Sequence, residues 1–316
     1  MSDHLLRKLR SSPRLAELAA FPFEFDLGSA GHVEPVRLAS GGPLEPIAGD
    51  ASGGTYFVCG DGSVLYADSE GSAGIIGSDV DTTLEMLIGL PGWQDCLDLS
   101  PADGAEEILA VVAGSEAEIR EDYGIDEERA ELRAALGLPE RSPVELVALL
   151  HAALLHTEPG FLLLNAEEGC AYGLLDSHPR PTLRETVLAH APDVLPRPAT
   201  GPDGPRGPGE PLLTWAGRAL DLGLTEHARA ALIRGLDEIV MNQSMLRRPD
   251  APRELDISPL LRFAEAFERI GDRAQAQRAR HLHAALARTG ADRRTPTASP
   301  SSTETGTGTG TGTGRS

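Results

Sequence analysis

The sequence predicts an α+β protein: an antiparallel sheet with packed helices, followed by an all-α helical-hairpin module and a disordered tail. Three observations carry this expectation. Two aromatic and β-branched runs, Thr55 to Cys59 and Ser63 to Ala67, flank Gly60-Asp61-Gly62. An Asp-Gly pair between such runs suits a tight hairpin, whose turn needs positive φ. From residue 212 onward, apolar residues recur with the 3.6-residue period of a helix. Between the two regions lies RPATGPDGPRGPGEP, residues 197–211, which reads as a Pro/Gly linker. The expected organisation is an N-terminal helical segment (1–19), an α+β domain (20–195), the linker (196–211), the helical module (212–290) and the tail (291–316).

Taken in order, Leu5, Leu6 and Leu9 mark a short amphipathic helix. Ser12 as cap and Pro13 at the first helical position start another. Val33 to Leu38 and Leu44 to Ala48 are extended candidates, each interrupted by a proline that suits an edge or a bend. The Asp61 hairpin follows, then a third strand from Ala73 to Gly77. Ser78, with Asp81 three residues on, is expected to cap a helix that buries Leu84, Leu87 and Ile88 and stops at Gly89 to Pro91. Ser115 and Glu118 form a capping box for a helix reaching Leu136, which Gly137 ends. Ser142-Pro143-Val144-Glu145 starts the next, with Leu146, Leu149, Leu150 and Leu154 on its apolar side. A second hairpin is expected from Phe161–Leu164 through Asn165–Gly169 to Ala171–Leu175, and then a helix from Leu183 to Ala189.

The two β regions share a pattern of apolar strand, glycine turn, second strand and Asp-Ser, at Asp68-Ser69 and Asp176-Ser177. Converging hairpin grammar and internal duplication both account for it. In the helical module, Leu212–Leu222 pairs with Glu226–Leu246 across Gly223, and Leu260–Ile270 pairs with Arg273–Arg288 across Gly271-Asp272. Ala264, Phe267, Gly271, Ala276 and Ala279 loosely resemble a tetratricopeptide hairpin, although two hairpins are fewer than such stacks usually need. The tail ends in alternating Thr-Gly, with nothing apolar to bury.

The chain has 316 residues, of which 41% are hydrophobic, enough to bury a core without staples. Its 48 acidic residues against 28 basic ones give a formal charge of −20. That field repels phosphate backbones and anionic lipid, and attracts basic partners. No Lys or Arg lies between Arg37 and Arg120, a window with fifteen acidic residues. Solubility alone explains such a block; a binding surface is the sharper reading. Within it, Asp61 at a turn tip, Asp68 and Glu70 in the next loop, and Asp79 and Asp81 at a helix start are the candidate partner-binding residues.

Catalytic and ligand signatures do not accumulate. Gly60-Asp61-Gly62 sits in a hairpin, whereas phosphate loops open helices. Gly71-Ser72-Ala73-Gly74 lacks the spacing of a nucleophile elbow. His151 and His156 are five apart, not the four that put two zinc ligands on one helical face. Asp79 and Asp81 lie outside any calcium-loop pattern and fit helix-start acids instead. Trp93 and Trp215 read as packing anchors. Cys59, Cys96 and Cys170 are odd in number and widely spaced, as free thiols of a reducing compartment are. No apolar run nears the ~20 residues of a membrane span, and the N-terminus lacks the apolar core of a signal peptide. A cytoplasmic protein without metal or cofactor is expected. Its single Lys against twenty-seven Arg suits a GC-rich bacterial gene.

Residues 43–93 resemble the SUKH superfamily. The resemblance lies in the Pro-Ile-Ala lead into Asp50, Gly53 and Gly54, and in the aromatic strand at Tyr56-Phe57. It continues through Gly62-Ser63-Val64-Leu65-Tyr66, an apolar strand to Ser78, and an apolar helix. About a sixth of the chain is covered. The N-terminal helical part is shorter than that family's, and residues 115–290 exceed its usual single domain. SUKH proteins are binders, common in bacteria as immunity proteins of toxin systems. The resemblance therefore implies a SUKH-like fold and stoichiometric binding of a protein, such as a basic toxin domain. The alternative is a helical adaptor that binds through residues 212–290; an enzyme ranks third.

Overall fold

The computed structural model describes residues 4–193, 210–246 and 257–292. Eleven α-helices, three short 3-10 helices and seven strands form among them. Helices α1 (His4–Ser11) and α2 (Pro13–Ala20) come first, α2 capped by the Ser12 side chain. The strands are β1 (Val36–Leu38), β2 (Leu44–Gly49), β3 (Thr55–Cys59), β4 (Val64–Ala67), β5 (Ser72–Gly77), β6 (Leu163–Asn165) and β7 (Gly173–Leu174). Strands β2 to β5 form an antiparallel meander, and β7 adds to β5 in parallel. Strands β1 and β6 form a separate antiparallel ribbon.

Alternation along the strands sends side chains to two cores, because successive residues face opposite sides of a sheet. Tyr56, Val64, Tyr66 and Ile76 join Leu84, Leu87, Trp93, Leu146 and Leu150 in the larger core, against which Val58 packs. Leu5, Leu6, Leu9, Leu18 and Ala19 of the first two helices lie in that same core. The opposite face, Phe57, Cys59, Leu65, Ala67, Ala73 and Ile75, meets Leu38, Leu163 and Tyr172. The meander is thus covered by helices on one face and by the β1–β6 ribbon on the other. Burying each such Leu or Ile side chain contributes about 1.5–3 kcal/mol.

Helix α3 (Val80–Gly89) is capped by Asp79, whose Oδ1 accepts from Thr82 N, and not by Ser78. Ser78 instead donates to Asp79 and Thr82. The expected start at Ser115 is also displaced. Helix α4 (Ala105–Asp122) begins after Gly104 and runs through Ser115, whose Oγ donates to Asp95 at 2.6 Å. The helix is interrupted at 123–125, and α5 (Asp126–Leu136) ends at Gly137 in the left-handed region. Helix α6 (Pro143–Leu155) has the expected Ser142–Glu145 capping box, and α7 (Leu183–His190) has one from Thr182 and Glu185.

The second hairpin does not form as expected. Strand β6 pairs with β1, and β7 leaves to join β5; only the Leu164–Ala171 bridge links the two arms. Helices α8 (Glu210–Asp221), α9 (Thr225–Leu246), α10 (Pro259–Ile270) and α11 (Arg273–Asp292) form the two helical pairs. They bury Ala264, Phe267, Ala276 and Ala279 together with Ala39, Leu162, Leu164 and Val187, so this module packs on the outer face of the ribbon. The expected linker (196–211) and tail (291–316) lie outside the described residues, except that residues 210–211 open α8 and residues 291–292 end α11, so the helical module reaches slightly beyond its expected bounds.

Candidate functional site

The antiparallel meander decides where the five candidate acids go. Asp61 sits in the β3–β4 turn, and Gly77, which leads to Asp79 and Asp81, pairs with Val64 at that same end. Asp68 and Glu70 sit in the β4–β5 turn at the other end. The four residues of β4 hold the two groups roughly 13 Å or more apart. The structure therefore divides the predicted surface in two. Three of the acids also have local structural work. Asp61 Oδ1 accepts from Ser63 N and Oγ, Asp68 Oδ1 from Glu70 N and Ser72 N, and Asp79 caps α3. Asp61, Glu70 and Asp81 are exposed.

The Asp68 end has further acids that sequence reasoning left out. Asp26 bridges to Gly49 and turns the loop through Leu27–Ser29, accepting from Gly28 N at 2.8 Å and Ser29 Oγ at 2.6 Å. Asp50, 6% exposed, holds the β2–β3 turn. Its Oδ1 accepts from Ser52 N, Ser52 Oγ and Gly54 N, and its Oδ2 accepts from Tyr66 OH at 2.5 Å. A side chain on Gly54 would collide with that Tyr66 hydroxyl, which explains the glycine after Asp50. Ser69 Oγ donates to Ser52 O and ties the two turns together. Burial, and then the Asp50 charge, push the Glu24 carboxyl above its usual range.

Beside these turns stands a hydrogen-bonded chain across residues far apart in sequence. Tyr172 OH donates to Glu34 Oε1 at 2.5 Å, and Asn165 Nδ2 donates to Glu34 Oε2 at 2.7 Å. Because the Tyr172 proton points at Glu34, His32 Nε2–H is the donor in its 3.0 Å bond to Tyr172 OH. His32 Nδ1 then accepts from Thr55 Oγ1 at 3.1 Å. Burial lowers the His32 pKa, opposed by Glu34 and Asp68, so the neutral ring is favoured. Burial, and then Glu34, push the Tyr172 phenol up. Between the two anchored residues, Val33 is 76% exposed.

Gly28–Gly31, Asp50, Ala51, Gly53 and Gly54 line an open groove of about 640 Å³ at this end. Its one carboxylate, Asp50, already accepts four hydrogen bonds, and both His32 nitrogens are engaged. What this end offers a ligand is negative charge on braced backbone. Segments 24–34, 50–54 and 68–71 contain Glu24, Asp26, Glu34, Asp50, Asp68 and Glu70 and no Lys or Arg. The alternation of turns between sheet ends could have separated Asp68 and Glu70 from the other three acids in advance. The contribution of loop 24–34 could not be anticipated, because it depends on contacts with Asn165 and Tyr172.

No cluster of three or more His, Cys, Asp or Glu suited to a metal occurs among the described residues, and the three cysteines are free. No described helix is long and apolar enough to cross a membrane. Compared with protein-family models, curated proteins and solved structures, the chain matches none of them.

Proposed function

We propose that this chain is a non-catalytic binder of a basic protein, and that the sheet end carrying Val33, Asp68 and Glu70 engages that partner. The observation that carries the reading is the acid-only set of loops, cross-braced around one exposed apolar side chain. Rigid loops reduce the ordering cost of association, and a one-signed field raises the encounter rate. The engaged state of Asp50 and His32 supports binding over catalysis. The resemblance of residues 43–93 to SUKH proteins makes a toxin-neutralising, cytoplasmic role the specific form of the proposal. An adaptor acting through the helical module has less support, because Arg234, Asp237, Gln275 and Arg278 are spent on contacts with the rest of the chain.

The test uses the full chain and a partner recovered by pull-down, the product of an adjacent toxin gene being the first to try. Charge steering acts on association rate and weakens with salt. Asp68→Asn with Glu70→Gln should slow association several-fold and flatten its salt dependence, with melting unchanged. Asp61→Asn with Asp79→Asn and Asp81→Asn should do neither, since Asn still caps α3. Equal effects of the two sets, or an effect of the second set alone, would refute the assignment to this end.

A further inference from the structure

Helices α2 and α5 run side by side in opposite directions. Arg14 near the start of α2 pairs with Glu131 at the middle of α5, at 2.9 Å. At the other end of the seam Phe21 meets Tyr123, their rings edge to face with centroids 4.6 Å apart. Phe21 is the extended C-cap of α2 and Tyr123 that of α4. Leaving the helix at those residues turns both side chains outward, and they remain 53% and 48% exposed. Single exposed apolar residues are ordinary, but two aromatic rings presented together are not.

Between the ion pair and the rings lie Glu17 and Glu128, one from each helix. Both act on the charge of Arg14. A Cβ on Gly124, the residue after Tyr123, would lie 3.7 Å from Glu128 Oε2, so this carboxylate lies beside the backbone that follows Tyr123. Among the described residues neither Glu17 nor Glu128 forms a salt bridge. The neighbouring cations are taken: Arg14 by Glu131, Arg120 by Glu116 and Asp126, and Arg129 by Glu116. Two half-exposed rings beside two carboxylates that form no salt bridge make a site for a flat cation.

We propose that the Phe21–Tyr123 notch receives an arginine side chain from a protein partner, its guanidinium stacked on one of the two perpendicular rings and hydrogen-bonded to Glu128 and Glu17. A planar guanidinium can stack and bind a carboxylate through two N–H groups at once, whereas an ammonium is a compact, strongly hydrated point charge. Exposed cation–π contacts of this kind are worth roughly two- to fivefold in affinity each. The inference rests on the reading above for the basic character of the partner, and it adds a choice of arginine over lysine at a separate set of residues.

The test titrates the full-length protein with capped hexa-arginine and hexa-lysine peptides at fixed ionic strength. The parent should bind hexa-arginine at least about fivefold more tightly than hexa-lysine. Phe21→Ser with Tyr123→Ser should bring that ratio within about twofold and leave the hexa-lysine affinity in place. Unchanged circular dichroism and melting would certify the fold of this surface variant. Asp68→Asn with Glu70→Gln should weaken both peptides alike and keep the ratio. No arginine preference in the parent, or a preference that survives the serine pair, would overturn the notch. A preference lost only in the Asp68/Glu70 variant would overturn the notch too, while leaving the sheet-end reading in place.

Discussion

The turn at Asp61 and the turn at Asn165 are built alike, yet the strands that leave them part company. In each turn a side-chain oxygen caps the backbone two residues on: Asp61 Oδ1 accepts from Ser63 N, and Asn165 Oδ1 from Glu167 N and Glu168 N. Asp68 and Asp176, which follow the second arm of each region, repeat the device toward Glu70 N and His178 N. After the first turn, β3 and β4 stay paired over Thr55–Ala67 to Val58–Val64. After the second, β6 pairs with β1 and β7 with β5. Local turn chemistry thus sets where the chain bends but not what it pairs with. Pairing follows burial. Strands β3 and β4 carry apolar side chains on both faces and fill two cores at the centre of a meander. In β6, Leu163 fills the core under the sheet, while Leu162 and Leu164 beside it need the cover that the helical module supplies together with Ala39 and Val187.

The largest expected effect tests this difference directly. Leu84 lies in the core on the helical face of the meander, at 1% exposure. Leu84→Asp buries an unpaired charge there and should abolish cooperative folding, a loss of more than about 4 kcal/mol. Leu164→Asp places the same charge in the core shared with the helical module. It should release that module and leave the meander folded, visible as hydrogen-exchange protection retained in β3 and β4 but lost in α8 to α11. Arg234→Met is the gentler version, because Arg234 donates to Glu158 and to Tyr172 O at 2.6 Å. It should cost about 1–3 kcal/mol. Loss of protection in β3 and β4 with Leu164→Asp would mean that the two regions fold as one unit.

Legibility in the sequence follows the same division. The Asp61 hairpin, the Ser142–Glu145 cap and the αL glycines at Gly137 and Gly271 could be read because each is settled within a few residues. Ser115 misled because Ser-x-x-Glu fits the interior of a helix as well as its start. The actual start, after Gly104, has no side-chain cap to read. The split of the second hairpin, and the bonds from Tyr172 to Glu34 and His32 across nearly 140 positions, have no local signature. The sequence offers the candidate acids as one surface and does not show their division between two ends of the sheet. Their grouping depends on which end of a strand each turn occupies.

A smaller effect concerns the join between the two regions, where His32 links Thr55 of the first to Tyr172 of the second. Burial depresses the His32 pKa, and also those of His151 and His227. A histidine whose folded pKa lies below its unfolded value of about 6.5 leaves the unfolded state holding more protons in that window. Its stabilisation is complete above about pH 6.5 and declines as pH falls through the folded pKa. Melting temperature should therefore be level from pH 8 to 7 and fall toward pH 5. His32→Gln cannot titrate and should show a shallower fall, with His151 and His227 supplying the rest. A profile identical to the parent's would show that protonating this ring costs the join nothing.

The smallest effect separates the two turns by what lies beyond them. Gly62 and Gly169 occupy positive φ at 96° and 71°. An alanine there is strained by about 1 kcal/mol whatever its surroundings. At Gly169 the added Cβ would also come within 3.3 Å of Gln275 Nε2 and Arg278 Cδ. Those two side chains hold the Gly169 carbonyl, at 2.6 and 2.9 Å, and Arg278 pairs with Asp237 as well. Gly169→Ala should thus weaken the grip of the helical module in addition to straining the turn. A double-mutant cycle with Arg278→Met isolates that second part. Gly169→Ala should couple to Arg278→Met by at least about 0.5 kcal/mol, and Gly62→Ala should add to it independently. Equal coupling at the two glycines would mean that the module stabilises the whole sheet evenly, and that the second turn has no private claim on it.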